Sequence, residues 1–335
     1  MENRYKKEHA EIYREVERLD IGASPTIHNQ YTFFSANIEH FLPMVPAAQH
    51  EELFRETLVY QRLSGLDLSY GVAGYLPPIS GWDPEWANSL RHRVGIIACA
   101  HMGAHMLIGL LLAKAQVPLA LLVVSHLVEP LKKFWKAAAE KDPSIVLPQI
   151  VDASSSSALR QLVRFVQAGV SLLIYWDGEE HSGGDDGLHQ VCVPLLGQHI
   201  RLQRGIAFLS KVTQAPIVPV VAFRQRDGSV GVHQGTERCP QHYRGKDFTR
   251  LALQSVVQFF SPYFIHFPAQ WDKWTHLHRM ALPERFFVEA GRNLSDRYGI
   301  LKGGDTYFLF ERRDYHTLAL PENYMDILGH CAKNR

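Results

Sequence analysis

Val94-Gly95-Ile96-Ile97-Ala98-Cys99-Ala100-His101-Met102-Gly103-Ala104-His105 is the stretch whose reading decides the fold. Small and apolar residues run unbroken into His101, the pattern of a buried strand. A glycine follows two residues on, and the apolar run Met106 to Ala113 is long enough for a helix. Strand and helix in direct succession make a βα unit. His101 then stands at the carboxyl end of a parallel strand, where open α/β sheets place their ligands. An imidazole in that place is a candidate general base.

The same alternation continues on the C-terminal side. Leu119–Val124 reads as a second buried strand and Leu131–Lys141 as a helix stopped before Pro143. Ser144–Val151 is strand-like, and the serines Ser154 to Ser157 can cap a helix over Ala158–Gln167. Val170–Trp176 is a third strong strand, ending at Asp177 and followed by the acidic, glycine-rich loop Gly178–Gln190. A helix over 203–213, a buried strand over Ile217–Phe223 and an amphipathic helix over 245–261 follow. Strands alternating with helices of this length predict an α/β fold: a mostly parallel central sheet flanked by helices.

Upstream, residues 5–19 form a charged helix with a thin apolar stripe, and 37–65 a second helical region broken near Pro43 and Pro46. Residues 71–84 read as a loop. The expected organisation is one compact unit: an N-terminal helical region over 1–90, an α/β core over 91–280 and a C-terminal extension over 281–335, with a strand-like Thr306–Phe310.

The chain has 335 residues, enough for a large core, and its formal charge is +1 with no dense block of Lys or Arg. That balance argues against a nucleic-acid partner. Its four cysteines are far apart in sequence, and no CxxC pair exists, so a reducing, cytoplasmic setting is expected. The N-terminus has no signal-peptide core. No apolar run reaches the ~18 residues of a membrane span, so membrane contact is expected to be peripheral at most.

Several blocks together resemble a family, the bacterial late acyltransferases of lipid A biosynthesis, within the lysophospholipid acyltransferase superfamily. That family carries His-x-Gly-Asn-Trp-Glu after a strand; here the block reads His101-Met102-Gly103-Ala104-His105-Met106. Its next block, a strand ending in an acidic loop and then a Val-Pro-Leu-type run, is matched by Tyr175-Trp176-Asp177-Gly178-Glu179-Glu180 and Val193-Pro194-Leu195-Leu196-Gly197. A Gly-led helix and a Pro-rich strand follow, as in Arg204-Gly205-Ile206 and Ala215-Pro216-Ile217-Val218-Pro219-Val220. Pro268, Gln270, Trp271, Trp274 and His276–Arg279 resemble the family's closing block with one residue added, and Asn37-Ile38-Glu39 to Leu42-Pro43 resembles an early one. The resemblance spans about 35–280. It departs from the family in three places: Met106 stands where the family has its acid, the family's membrane-anchoring N-terminal helix has no counterpart, and the segment after about 283 is an addition.

Acyl transfer from a thioester needs a base for the acceptor and donors for the oxyanion. The resemblance assigns His101 as the base. Met106 can neither orient an imidazole nor accept a proton, so another carboxylate is required. Glu179 and Glu180 are favoured as that substitute, with Asp177 structural and close to substrate. The backbone at Arg204 and Gly205, opening a helix, suits an oxyanion or phosphate, and the Arg204 guanidinium suits a carboxylate or phosphate. His105 is expected as a pocket wall. Spaced four apart, His101 and His105 would share a helix face as metal ligands do, but His101 ends a strand and no third ligand is spaced to join them, so no metal is expected. Trp271 and Trp274 read as packing.

The expected function is a soluble acyltransferase moving an acyl or aminoacyl group, acyl groups other than aminoacyl being favoured. The donor is a phosphopantetheine thioester, on an acyl carrier protein or coenzyme A. The acceptor is an amine or hydroxyl, on a small molecule or tethered to a carrier in a biosynthetic pathway. No bound cofactor is expected. Two rivals are a peripheral enzyme acylating a lipid or glycolipid and a non-catalytic acyl-binding or assembly protein; Met106 motivates the latter.

Overall fold

The run into His101 forms a strand at the middle of a seven-stranded sheet. The computed structural model describes residues 1–178, 189–243, 247–282 and 297–321. Helices α1 (Glu2–Glu17), α2 (Pro25–Phe41) and α3 (His50–Val72) open the chain. Strand β1 (Ile79–Ser80) and helix α4 (Pro84–Ser89) lead into β2 (Ile96–Cys99). Next come α5 (Met106–Lys114), β3 (Leu119–Val123), α6 (Ser125–Lys141), β4 (Gln149–Asp152), α7 (Ala158–Gln167) and β5 (Ser171–Tyr175). A hairpin of β6 (Gln190–Leu195) and β7 (Gln198–Gln203) precedes α8 (Gly205–Thr213), β8 (Ile217–Arg224), β9 (Val230–Gln234) and α9 (Phe248–His266). Short 3-10 turns cover much of 268–279, followed by β10 (Ala281–Leu282), β11 (Tyr298–Gly303), β12 (Thr306–Glu311) and β13 (Thr317–Ala319).

The central sheet has the order β1-β9-β8-β2-β5-β3-β4, and every neighbouring pair is parallel except β8 with β9. This is the mostly parallel α/β architecture expected. Helices cover both faces, so both side-chain rows of a strand are buried and the sequence reads as a continuous apolar run. Ile96 and Ala98 join the core on one side, Ile97 and Cys99 the core on the other, all fully buried.

Three local expectations are corrected, and one element is added. Of Ser144–Val151 only the end is strand, with Leu147 exposed. Helix α6 begins at Ser125, not Leu131, and runs through Pro130. Pro130 and the residue four before it, His126, are both exposed, so the place where proline cannot serve a carbonyl faces solvent. Ser157 does not cap α7 with its hydroxyl; that oxygen accepts from Gln161 Nε2 at 2.8 Å. The β6–β7 hairpin was not foreseen as such. Its turn, Leu196-Gly197, holds φ of 50° and 82°, the left-handed pair of a type I′ two-residue hairpin. Pro194 is tolerated because β6 is an edge strand.

The N-terminal helices are tied to the sheet by polar groups. Tyr5 of α1 donates to Asp67 of α3 at 2.7 Å, and Arg224 at the end of β8 pairs with the same carboxylate. Asp67 is fully buried and Arg224 is 4% exposed on its side chain. Strands β11–β13 pack on α2: Asn29 exchanges hydrogen bonds with the backbone of Lys302, and Tyr315 donates to Asn37 at 2.7 Å. No helix among the described residues is long and apolar enough to cross a membrane.

Candidate functional site

Strands β2 and β5 lie side by side, in a register that pairs Ile96 with Leu172 and Cys99 with Tyr175. Two residues beyond the last pair, the chains place His101 opposite Asp177. Asp177 Oδ1 lies 2.7 Å from His101 Nδ1, and Oδ2 accepts the His101 backbone N–H at 2.9 Å. Trp271 Nε1 donates to the same Oδ2 at 2.8 Å. The carboxylate is fully buried, while the imidazole keeps 27% of its side-chain surface exposed.

The segment carrying Trp271 is laid against the His101 loop like a short strand. Gly103 N–H donates to Gln270 O at 2.8 Å, Asp272 N–H donates to His101 O at 3.1 Å, and Met102 bridges Trp271. The Gln270 amide staples the end of β8, accepting from Arg224 N–H at 2.7 Å and donating to Arg224 O at 2.8 Å. Trp271 is itself fully buried and stacks on Phe264 with centroids 3.9 Å apart. The tryptophan packs, as expected, and its indole N–H also fixes the acid.

This close approach explains Gly103. Its φ is +58°, and a Cβ there would lie 2.6 Å from Ala222 O and 2.7 Å from Gln270 Oε1. Gly103→Ala is expected to destabilise the protein by about 2 kcal/mol or more, from left-handed strain and overpacking combined. Urea denaturation would read this as a clear drop in midpoint, and an unchanged midpoint would contradict the packing described.

The electrostatics separate the two partners. Burial disfavours charge on both, but the imidazole beside Asp177, helped by Lys273 and the Trp271 indole, brings the carboxyl down to about 2. For His101 burial pulls the pKa down, and the Asp177 carboxylate outweighs it, leaving the imidazole above its ordinary value. A carboxylate on Nδ1 favours the Nδ1–H tautomer and leaves the lone pair on Nε2. Among the described residues Nε2 has no hydrogen-bond partner, so it is the ring nitrogen left for a reacting proton.

Two further rings enclose the imidazole. Tyr175 stacks on it with centroids 4.3 Å apart, and His105 meets it edge-on at 5.2 Å. His105 is 7% exposed, with Nδ1 3.1 Å from Tyr175 OH. Burial, then repulsion from His101, push its pKa down to about 3, so it stays neutral.

Asp177, expected as structural and close to substrate, is the carboxylate hydrogen-bonded to His101, and its side chain is fully buried. Glu179 and Glu180, favoured for that place, lie outside the described residues. Arg204 and Gly205 open α8 as expected, but Arg204 is exposed with Nη2 3.0 Å from His189 Nδ1, and neither residue bonds to the His101–Asp177 pair. The helix that starts beside His101 is α5. Met106, at its first position, is 38% exposed. Tyr175, Gln270 and Trp271 were not among the expected site residues. Tyr175 ends the strand next to His101's, and the other two stand in the Pro268–Trp274 block. Among the described residues no group of three or more His, Cys, Asp or Glu could hold a metal ion.

Comparison with known proteins follows the same residues. The family model described as bacterial lipid A biosynthesis acyltransferase matches residues 79–271, from β1 to Trp271. Among solved structures the chain is similar to the 1-acyl-sn-glycerophosphate (LPA) acyltransferase PlsC from Thermotoga maritima. The identity is 14% and the TM-score 0.36, over 71% of this chain and 96% of that one. No curated protein sequence matches the chain. The family match takes in more than half of the sequence, including His101, Asp177 and Trp271: the chain belongs to the bacterial lipid A biosynthesis acyltransferase family, and its class of activity is acyl transfer.

Proposed function

We propose that the chain transfers an acyl group from a phosphopantetheine thioester, on a carrier protein or coenzyme A, to an amine or hydroxyl acceptor, with His101 as general base. The observation that carries this reading is the 2.7 Å bond between Asp177 and Nδ1 of a part-exposed imidazole. Nε2 takes the acceptor's proton as its oxygen or nitrogen attacks the thioester carbonyl. A tetrahedral oxyanion forms, and then the carbon–sulfur bond breaks. The departing thiolate takes the proton back from the imidazolium, so atoms and charge balance. The thioester is a substrate, and no resident cofactor enters the steps.

Asp177 supports the base role in two ways. It fixes the tautomer and opposes the imidazolium charge as it develops. The non-catalytic rival rested on Met106, and the carboxylate it found missing has a counterpart in Asp177. A lipid or glycolipid acceptor is the second reading, favoured by the family match over residues 79–271.

Intact-mass spectrometry tests the proposal. The chain is mixed with acyl-loaded carrier proteins and acyl-coenzyme A, with pooled amine and alcohol acceptors and, separately, lipid acceptors in vesicles. Loss of acyl mass from a donor with equal gain on a water-soluble acceptor is expected. Gain only on vesicle lipid, with co-flotation of the protein, would move the acceptor to the second reading. Intact donors throughout would remove the proposal.

A further inference from the structure

Helices α7, α8 and α9 carry no carboxylate of their own. Ala158–Gln167, Gly205–Thr213 and Phe248–His266 contain neither Asp nor Glu, although the chain holds 34 of them in 335 residues. The same helices present Arg160, Arg164, Lys211 and Arg250 to solvent. Among the described residues Arg160 and Arg164 have no ion pair. They stand one turn apart on α7, the spacing at which side chains share a helix face.

The cations border exposed apolar surface. Leu159 is 43% exposed, Phe208 40% and Val212 52%. Leu159, Arg160, Val163, Arg164, Gln167 and Phe208 line one groove of about 290 Å³ between α7 and α8. A contiguous apolar patch rimmed by one sign of charge marks a place for a partner. The groove is shallow and open and follows α7, with Phe208 of α8 at its side, a surface that suits one helix of a partner, apolar on one side and acidic around it.

The topology brings one end of this groove to the edge of the sheet that carries the site. Helix α7 feeds the start of β5 and α8 the start of β8, both parallel to β2. The first turns of α7 and α8 therefore lie at the carboxyl edge of the sheet, where His101 stands. The end of the groove at Leu159 and Arg160, in the first turn of α7, is the end at that edge.

We infer that the α7–α8 groove, with Arg160, Arg164 and Phe208, docks an acidic helix of the carrier protein that delivers the thioester. This rests on the proposed thioester chemistry and chooses the carrier over coenzyme A. Docking sets the acidic helix alongside α7, its carboxylates on the two arginines and its apolar side on Phe208, with the phosphopantetheine arm directed to the sheet edge. Electrostatic complementarity of this kind acts on encounter and partner choice, and it weakens with salt.

The test measures two things in the full chain: binding of a fluorescently labelled acidic acyl carrier protein by anisotropy, and transfer from the acyl carrier against the same acyl group on coenzyme A. Arg160→Glu/Arg164→Glu and Phe208→Ser are compared with wild type. Expected are carrier binding and carrier kcat/KM lowered at least about tenfold, mainly through KM, with transfer from coenzyme A unchanged. Lysines in place of acids on the carrier helix should restore the double variant. Unchanged carrier binding, or equal losses with both donors, would overturn the docking site. So would carrier binding unchanged while co-sedimentation with phosphatidylglycerol vesicles is lost, which would make the flank a membrane face. Binding is read without turnover, so a wild type that binds the carrier through this groove yet transfers from no thioester would count against the proposed chemistry and leave the docking site standing.

Discussion

His101→Ala is expected to lower acyl transfer by roughly 10²–10⁴-fold, the range that removal of a general base produces. The loss should fall on kcat and leave donor KM near its wild-type value, because the imidazole acts on the acceptor's proton as the bond forms. The fold should survive. The side chain is 27% exposed, and Asp177 keeps its bonds to the His101 backbone N–H and to Trp271. A variant that folds, binds donor and transfers at the wild-type rate would show that the base lies elsewhere at this edge.

Asp177→Asn is the second large effect. It keeps the shape and removes the charge. Without the carboxylate, burial governs His101, so its pKa should fall, where the wild type stands above the ordinary imidazole value. The base works in its neutral form, so wild-type kcat/KM rises with pH as the imidazole loses its proton. In the variant that rise should move to lower pH by roughly 1–3 units. The plateau should drop roughly 10²-fold or more, because an amide neither secures the Nδ1–H tautomer nor balances the imidazolium. An unmoved acid limb would deny that Asp177 sets the imidazole.

The same residue links to stability. The folded carboxyl titrates at about 2, below its ordinary value. A depressed carboxylate contributes stability that is present above the ordinary value and lost as pH falls through the folded one. Acid unfolding of the wild type should therefore steepen below about pH 4, and Asp177→Asn should flatten that limb.

How far the sequence could be read follows from which contacts are local. The unbroken run into His101 and the glycine at 103 identify a βα unit because a buried parallel strand leaves no polar face to interrupt the pattern. Asp177 was harder. The acidic loop offers several carboxylates, and sequence does not say that β5 is the neighbour of β2. A signal existed all the same: His101 and Asp177 both stand two residues past the ends of buried strands. Two adjacent parallel strands in level register bring such residues together. Trp271 left a weaker trace. Its block was recognised, but its indole reaches a carboxylate 94 positions away, a pairing that no periodicity encodes. The β6–β7 hairpin hid because its turn is Leu196-Gly197, not Asn-Gly or Asp-Gly, with a leucine held at positive φ.

The central claim is that His101 and Asp177 act as one unit, and a double-mutant cycle measures it most directly. Single-turnover acyl transfer is followed for wild type, His101→Ala, Asp177→Asn and the double variant at one pH on the wild-type plateau. Residues that act as a unit are non-additive. The prediction is that the double variant is no slower than His101→Ala, because the carboxylate has nothing left to orient. Losses that multiply, with the double variant slower than His101→Ala by the full Asp177→Asn factor, would contradict the pair and leave Asp177 a structural neighbour.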